Sequence, residues 1–283
     1  MTTSSSSIAD RRRTFRTLHE SSCFVIPNPW DVGSTRYLQS LGFKALATTS
    51  AGFAFSQGLP DAGVPRDMML THIREIVAAA DVPVNADFEG GYAHDPAGVA
   101  ESVRLCVATG VSGLSIEDAT GDKDHPLYDV SHAVARMRAA RTAIDKAGGD
   151  VMLTGRCEGF LVGRPDLDEA IARLKAYSEA GADCLYAPGI RTREQIAAVV
   201  KAVAPKPVNF LNSGSFGFTV SDLAALGVRR ISVGGSLARV GWTAFIRAAR
   251  GIAEGSFEGF AGTMPNAELN AFFHDDLTKR KTS

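Results

Sequence analysis

The sequence predicts an α/β fold, a closed (β/α)8 barrel, and three observations lead to that prediction. Eight short apolar runs alternate with longer amphipathic segments along the 283 residues. In segments such as DMMLTHIREIVAAA and DEAIARLKAYSEAG, apolar residues recur at helical spacing. Several helices end at glycine before the next strand, as in LQSLGFKAL and LAALGVRRISV, where glycine is the usual left-handed cap. Eight strand–helix repeats with short connections predict a parallel sheet, and eight strands are the number that closes a barrel.

The elements can be placed in order along the chain. The runs predicted as strands are residues 23–26, 45–48, 82–86, 113–116, 151–154, 184–186, 207–211 and 230–233. An extra helix at about residues 8–20 precedes them, and residues 242–253 are predicted to form the last barrel helix. We predict a single barrel domain over residues 1–283, with a C-terminal helical extension at 255–283. A doubly wound open sheet is the alternative, and it is disfavoured because no GxGxxG follows the first strand.

The end of the chain carries a separate prediction. A segment rich in glycine and phenylalanine leads to a helix at residues 266–281 with one apolar face, formed by Leu269, Phe272, Phe273 and Leu277. A short terminal helix with several large apolar side chains needs a surface to pack on. We therefore expect this tail to dock on a neighbouring subunit of a homo-oligomer.

Composition and charge favour an enzyme that acts on a small molecule. Hydrophobic residues make up 45% of the chain, charged residues 22%, and the formal net charge is -1. No global basic field therefore attracts nucleic acid or a membrane surface. The four cysteines form no CxxC pair, which weakens both a disulfide and a zinc interpretation. No signal-peptide core or membrane-spanning run is present, so we expect a cytoplasmic protein.

Acidic residues collect where the third and fourth strands end. The stretch VPVNADFEGGY places Asp87 and Glu89 after an apolar run, and GLSI leads directly into Glu117 and Asp118. Asp87 and Glu89 share a face if the strand continues that far. Carboxylates that converge at strand ends provide the oxygen ligands that a hard cation such as Mg²⁺ needs. In a barrel of this type the active site lies at those ends.

The same end of the predicted barrel gathers other polar residues. Arg156 and Glu158 follow the fifth strand two residues apart, Asn209 lies at the seventh, and GGS follows the eighth. Few polar residues are expected inside the strands themselves. Cys157 should face the helices if Arg156 faces the site, because neighbours in a strand point to opposite faces.

The order of several short motifs resembles the isocitrate lyase and phosphoenolpyruvate mutase superfamily. The motifs are TSAG, GLPD, DFEGGY, IED, GRCE and GADCLYAPG, and the likeness extends from about residue 27 to residue 250. The sequence is most similar to the phosphoenolpyruvate mutase-like, carboxyphosphonoenolpyruvate phosphonomutase-like branch. The resemblance implies a TIM barrel assembled as dimers or tetramers with an exchanged C-terminal helix. It also implies Mg²⁺, with Mn²⁺ as a substitute, and a 2-oxo acid or phosphonate substrate.

The resemblance assigns expected roles to the charged residues. Asp87 corresponds to the main Mg²⁺ carboxylate, Glu89 to a second or water-mediated ligand, and Glu117 to the glutamate of the metal shell. Asp61, in GLPD, corresponds to an aspartate near metal and substrate. We expect Arg156, Glu117 and Asp61 to carry the catalytic chemistry.

The expected substrate contacts come from three other places in the chain. Ser50, Ala51 and Gly52 correspond to the segment that holds the substrate carboxylate. Arg156 corresponds to the arginine that faces the charged end of the substrate, and Asn209 lies near a substrate-side asparagine.

Two segments depart from the family pattern. The loop at residues 119–129, ATGDKDHPLYD, lacks the cysteine of the lyase sequence KKCGH and the KTNS-like sequence of the mutases. Lys123 and His125 are its candidates for a gating or acid role, and Pro188 stands where relatives place a histidine or glutamate.

Three functions remain open on the sequence. The first is Mg²⁺-dependent C–C cleavage of a small 2-oxo acid or di-acid through an enolate. The second is P–C chemistry, as a phosphonomutase or phosphonopyruvate hydrolase. The third is a non-catalytic oxo-acid binder, since a fold alone does not prove activity.

Overall fold

The computed structural model describes residues 6–282, and within them eight parallel strands form a barrel. Hydrogen-bonded neighbours run in the order β1-β8-β7-β6-β5-β4-β3-β2. The ring is completed beside β1 and β2, where the backbone N–H of Ala47 donates to the carbonyl of Pro27 at 3.1 Å. The predicted (β/α)8 TIM barrel is confirmed. The strands are β1 Phe24–Ile26, β2 Leu46–Ala47, β3 Val84–Asp87, β4 Gly113–Glu117, β5 Met152–Arg156, β6 Cys184–Tyr186, β7 Val208–Leu211 and β8 Arg230–Ser232.

Eleven α-helices accompany the strands in the described part of the chain. They are α1 Ile8–Ser21, α2 Val32–Ser40, α3 Ser50–Ser56, α4 Arg66–Ala79, α5 Pro96–Val107, α6 Val130–Lys146, α7 Leu167–Glu179, α8 Arg193–Val203, α9 Val220–Ala225, α10 Ser236–Ala253 and α11 Asn266–Thr282. Polar residues start several of them: Asp31, Asp95, Asp166 and Thr192 each accept a backbone N–H of the first turn. A 3₁₀ turn, Glu258–Phe260, separates α10 from α11.

Two apolar cores enclose the sheet. The larger core lies between the barrel and its helices, where outward residues such as Leu114 and Leu153 are fully buried. The smaller core closes the floor of the barrel and contains Phe15, Phe24, Ile26, Ala45, Ala47 and Met152. Phe15 comes from α1 and is 0% exposed, so α1 plugs the amino-terminal end of the barrel. The opposite, carboxyl-terminal end is left for a site.

The interior of the barrel differs from the expectation. Asn85, Ser115, Thr154, Arg230 and Ser232 are buried polar residues within strands, and all but Thr154 line the central cavity. The prediction that few polar residues sit inside the strands was wrong. Alternate residues of one strand point inward, and in β3 to β8 these include polar side chains that the apolar appearance of each run hides.

The last barrel helix also differs from its prediction. The helix α10 begins at Ser236, six residues earlier than predicted, and Ala238 is its one buried residue. Its first turn packs on the barrel, where Leu237 contacts the core, but residues 239–247 are exposed. By contrast, α11 lies along α2, with the rings of Tyr37 and Phe272 5.2 Å apart.

No helix in residues 6–282 combines the length and the apolar character needed to cross a membrane. One domain over 1–283 with an extension at 255–283 stays a prediction, and residues 1–5 and 283 lie outside the described residues.

Candidate functional site

Three charged residues meet at the carboxyl-terminal rim of the barrel because each is the last residue of its strand. Asp87 ends β3, Glu117 ends β4 and Arg156 ends β5. Glu117 and Arg156 are direct cross-strand partners, so their side chains point to the same face. Nη1 of Arg156 lies 3.2 Å from Oδ1 of Asp87 and 3.3 Å from Oε2 of Glu117. The structure brings these residues together, and their roles remain predictions.

The buried carboxylate of Asp118 stabilises the turn that follows β5. Glu158 accepts a hydrogen bond from Nε of Arg156. The backbone N–H of Glu158 donates to Oδ1 of Asp118 at 2.8 Å. The other oxygen of Asp118 accepts the Tyr177 hydroxyl at 2.5 Å and pairs with Arg173 at 3.3 Å. Asp118 therefore fixes the strand end from the helix side, away from the cavity.

The segment expected to hold a substrate carboxylate begins α3. Both the backbone N–H and the hydroxyl of Ser50 donate to Oδ2 of Asp87, at 3.0 and 2.9 Å. Ser50 and Ala51 line the cavity. Gly52 does not, and a Cβ there would lie 2.6 Å from Cγ2 of Thr49. The donors of Ser50 are thus committed to the candidate metal carboxylate, and Gly52 permits close packing.

Two further acids approach the cluster from loops. β3 ends at Asp87, so Glu89 does not continue the strand, and its backbone has a φ of 47°. The Tyr92 hydroxyl donates to Oε1 of Glu89 at 3.1 Å. Burial and the charge of Asp87 raise the pKa of Glu89 to about 7, although Tyr92 opposes the rise. Asp61 lines the cavity, and burial and Asp87 raise its pKa as well.

The opposite wall of the cavity is formed by β6, β7 and β8. Asn209 is 1% exposed and makes two hydrogen bonds, donating from Nδ2 to Oγ of Ser232 at 2.9 Å and accepting from Nε of Arg230 at 2.8 Å. The Tyr186 ring lies beneath Arg156, whose Cζ is 5.1 Å from the ring centroid. Burial raises the pKa of Tyr186 to about 12, while the charge of Arg156 opposes that rise.

The charges around Arg156 do not balance. The positive charge of the Arg156 guanidinium acts on five carboxylates. They are those of Asp61, Asp87, Glu89, Glu117 and Glu158. Burial raises the pKa of Glu117 well above its usual range, and although Arg156 lowers it, the charges of Glu158 and Asp87 raise it further. A cluster of buried acids with excess negative charge is stabilised by an additional cation.

The donor set fits Mg²⁺ better than it fits zinc. Among residues 6–282, no three His, Cys, Asp or Glu side chains form a ready-made ligand group. Mg²⁺ does not need one, because it usually binds through one or two carboxylates, keeps several waters and takes oxygens from its substrate. Zinc sites use thiolate and imidazole ligands, and no cysteine or histidine is among the residues that line the cavity beside Asp87.

The loop at residues 119–129 lies outside this cluster. Its ends pair through a bridge between Ala119 and Leu127, and Lys123 and His125 are exposed. Neither side chain lines the cavity. Cys157 is buried, does not line the cavity, and has a pKa raised by burial, in agreement with the predicted helix-facing orientation.

Sequence reasoning missed Tyr186, Arg230 and Ser232. All three line the same cavity, which has a volume of about 180 Å³. Only the register of the folded sheet shows them: Arg156, Tyr186, Asn209 and Arg230 are successive cross-strand partners, so an inward Arg156 makes the other three point inward.

Comparison with known proteins agrees with this geometry. The phosphoenolpyruvate phosphomutase family profile matches residues 15–253. A crystal structure from Burkholderia cenocepacia J2315, provisionally named a lyase/mutase, is 48% identical with a TM-score of 0.89, covering 94% of this chain and 96% of that one. An uncharacterised protein of Mycobacterium tuberculosis (strain H37Rv) is 31% identical over 94% of this chain and 97% of its own length.

A relative with a named activity extends the comparison. The oxaloacetate decarboxylase of Paraburkholderia xenovorans (strain LB400) is 30% identical over 78% of this chain and 74% of its own length. The residues matched by the family profile include Asp87, Glu117 and Arg156. The chain therefore belongs to the phosphoenolpyruvate phosphomutase family, and it is an enzyme of the superfamily of lyases and mutases that act on oxo acids or phosphonates.

Proposed function

We propose that this enzyme is a Mg²⁺-dependent lyase that cleaves a C–C bond of a small 2-oxo acid or di-acid through an enolate. The observation that carries the proposal is the meeting of Asp87, Glu117 and Arg156 at the rim of the barrel. A 2-oxo acid offers a carboxylate oxygen and a carbonyl oxygen that can bind one cation together. The similarity to an oxaloacetate decarboxylase supports a di-acid of that size.

Asp87 would anchor the cation, because two hydrogen bonds from Ser50 already orient its carboxylate. Glu117 would contribute directly and Glu89 through water. When bound, Mg²⁺ supplies positive charge that stabilises the oxyanion as the bond breaks. Asp61 lies on the cavity wall, where its raised pKa suits a group that holds or passes a proton near the substrate.

Arg156 would hold the charged end of the substrate. Its Nε and Nη1 serve Glu158, Asp87 and Glu117, and no partner for its Nη2 is found among residues 6–282. Nη2 is therefore available to a carboxylate. If Asp87 and Glu117 turn to the cation, Nη1 is also released, and the guanidinium can then make two parallel hydrogen bonds.

P–C chemistry is the alternative, and the family match to phosphoenolpyruvate phosphomutase favours it. The same carboxylates and Arg156 could bind a phosphonate in place of the second carboxylate. A non-catalytic oxo-acid binder is the third candidate. A cytoplasmic location and a homodimer or homotetramer remain predictions.

The deciding experiment incubates the purified chain and Mg²⁺ with oxaloacetate or phosphonopyruvate and follows the products by ¹³C and ³¹P NMR. Loss of CO₂ or a second acid from the di-acid supports the lyase. Phosphate release or rearrangement supports P–C chemistry, and tight binding without turnover supports a binder. Asp87→Ala should abolish metal-dependent turnover, whereas Glu179→Ala, at an exposed position on α7, should leave it unchanged.

A further inference from the structure

Arg136 on α6 is the largest of the fully buried side chains in the described part of the chain, and it is 1% exposed. No carboxylate pairs with it in residues 6–282, and it does not line the cavity. Its hydrogen bonds go to backbone carbonyls instead. A buried cation is costly unless hydrogen bonds replace the water that it loses, so these carbonyls account for the place of Arg136 in the interior.

The carbonyls belong to the two strand ends that carry the candidate metal ligands. Nη1 of Arg136 donates to the carbonyl of Glu117 at 3.1 Å, at the end of β4. Nη2 donates to the carbonyls of Gly90 and Ala93, the second at 3.1 Å, in the turn after β3. The backbone N–H of Glu117 also donates to the carbonyl of Glu89 at 3.1 Å. One guanidinium therefore joins this turn to the end of β4.

The backbone of this turn is strained. Glu89 has a φ of 47° and Tyr92 a φ of 55°, in the left-handed region that residues with a side chain disfavour. Residues keep such a conformation only where surrounding contacts fix it. The carbonyls that Arg136 binds, those of Gly90 and Ala93, lie on either side of Tyr92 in the sequence. Because the Tyr92 hydroxyl donates to Oε1 of Glu89 at 3.1 Å, the shape of the turn sets the direction of that carboxylate.

Two neighbours hold the guanidinium in this position. The Tyr128 ring lies against it, with Cζ of Arg136 4.1 Å from the ring centroid. The backbone of Gly90 approaches so closely that a Cβ there would lie 3.1 Å from Nη2. Gly90 has no positive φ, so this close approach, and not the backbone conformation, favours glycine at residue 90.

We propose that Arg136 is a positioning residue for the bound cation: it fixes the turn at residues 89–92 against the end of β4, and so presents Glu89 and Glu117 to Mg²⁺ together. The inference rests on the proposed function, because it takes Glu117 as a direct ligand and Glu89 as a ligand through water. Arg136 touches neither the cation nor the substrate. Its donors act on the backbone from which both carboxylates project, and contacts of this kind around a metal site orient the ligands.

The test measures the binding of Mn²⁺, which takes the same oxygen ligands as Mg²⁺ and whose free ion gives an EPR signal in solution. Arg136→Lys keeps the charge, but an ammonium on a flexible stem lacks the planar fork that reaches carbonyls of two segments. We expect Arg136→Lys to bind Mn²⁺ about ten- to hundredfold more weakly than the wild type. Arg138→Lys, the same change at an exposed position of α6, should bind Mn²⁺ as the wild type does. Wild-type Mn²⁺ affinity in Arg136→Lys would overturn the inference, even where urea unfolding shows a loss of stability.

A double-mutant cycle separates positioning from a general loss of structure. Glu89→Gln keeps the size of the side chain and removes the charge that the turn presents. If Arg136 acts through that carboxylate, Arg136→Lys should weaken Mn²⁺ binding by a smaller factor in the Glu89→Gln background than in the wild type. Equal factors in both backgrounds would contradict the inference. Should Arg136→Lys fail to fold, Gly90→Ala takes its place in the cycle, because the added Cβ crowds Nη2.

Asp87→Ala separates the inference from the function on which it rests. A wild-type chain that does not bind Mn²⁺, or whose binding survives Asp87→Ala, contradicts the proposed cation site and the inference together. Binding that is lost in Asp87→Ala and unchanged in Arg136→Lys contradicts the inference alone.

Discussion

At the scale of single residues, the geometry of the site depends on the ion pairs that one guanidinium makes with several carboxylates. Arg156 contacts Asp87, Glu117 and Glu158 through two of its nitrogens. Its planar fork makes these contacts at fixed angles, whereas the ammonium of lysine is a point charge on a flexible stem. We therefore expect the proposed role of Arg156 to require the shape of the side chain as well as its charge.

Arg156→Lys tests that requirement. We expect turnover to fall by about a hundredfold or more although the charge is kept, because lysine cannot serve three carboxylates and a substrate together. The measurement is kcat and KM on whichever acid the enzyme turns over. Lys175→Arg, on the exposed face of α7, is the matched control and should leave both constants unchanged. Wild-type kcat/KM in Arg156→Lys would show that charge alone suffices.

His72 predicts a pH dependence of stability. Its ring is 3% exposed and stacks on Phe53 with centroids 3.8 Å apart, and burial lowers its pKa from 6.5 to about 4. The unfolded chain therefore binds more protons between pH 6.5 and about 4, so the stability due to neutral His72 is present above pH 6.5 and is lost as pH falls through that window. The loss from pH 7.5 to 5 should reach about 2 kcal/mol.

Comparing the wild type with His72→Leu isolates this effect. Glu89, whose pKa is raised to about 7, gives stability that is lost as pH rises, so the total profile mixes both signs. Urea unfolding at several pH values should show a smaller fall toward pH 5 in His72→Leu than in the wild type. His125→Leu, at an exposed loop position, should follow the wild type. Parallel curves for wild type and His72→Leu would contradict the prediction.

At the level of residues, the sequence could predict only those site residues whose place in the fold follows from their position at the end of a strand. Asp87, Glu117 and Arg156 are visible in the sequence because they end apolar runs. Arg230 begins its strand, next to Arg229, and its inward direction depends on the pairing of β7 with β8. A single sequence does not contain that register, so the polar wall opposite Asp87 and Glu117 could not be foreseen.

At the scale of elements, the positions of the side chains depend on how closely helices approach the strands. β5 and α7 meet at Gly155, the residue before Arg156. A Cβ there would lie 2.9 Å from Cβ of Tyr177 and 3.2 Å from Cβ of Ala182. The first distance is shorter than Cβ contacts in proteins and the second is unusually tight, so a side chain at residue 155 would push β5 away from α7.

Gly155→Ala should therefore cost about 1–3 kcal/mol of folding free energy, since over-packing a core forces backbone shifts. Urea unfolding measures the cost, and activity should also fall because the displaced strand carries Arg156. Ala172→Ser, on the exposed side of α7, is expected to change neither quantity by a measurable amount. A Gly155→Ala variant as stable as the wild type would mean that α7 can move without strain.

Helices and strands could be predicted well where the apolar periodicity and the residues that end each element agree. All eight strands were found, with ends that differ by no more than two residues, because each is a short apolar run between helical patterns. The helix α3 was missed because its seven residues, SAGFAFS, are too few to show a period. The packing of α10 could not be predicted either, since an amphipathic pattern shows that a face is apolar and not which surface covers it.

At the scale of the whole molecule, the carboxyl-terminal helices leave apolar surface uncovered. On α10, Val240 is 67% exposed and Phe245 60% exposed. On α11, Leu269, Phe273 and Leu277 are each about two-fifths exposed, although Phe272 of the same helix meets Tyr37 on α2. Contiguous exposed apolar side chains of this size mark an interface in most proteins. We expect a second copy of the chain to cover them.

Deleting the residues after Gly262 tests that expectation. The truncated chain keeps the barrel and α10 but loses α11, so light scattering should report a lower assembly state than for the full chain. Asp275→Ala, at an exposed polar position of α11, should keep the assembly state of the full chain.

Replacing Phe245 with glutamate should lower the assembly state through α10 instead, because a charge in an apolar interface is costly to bury. An unchanged number of subunits in the truncated protein would exclude α11 from the interface, and a monomeric full-length chain would contradict the interface altogether.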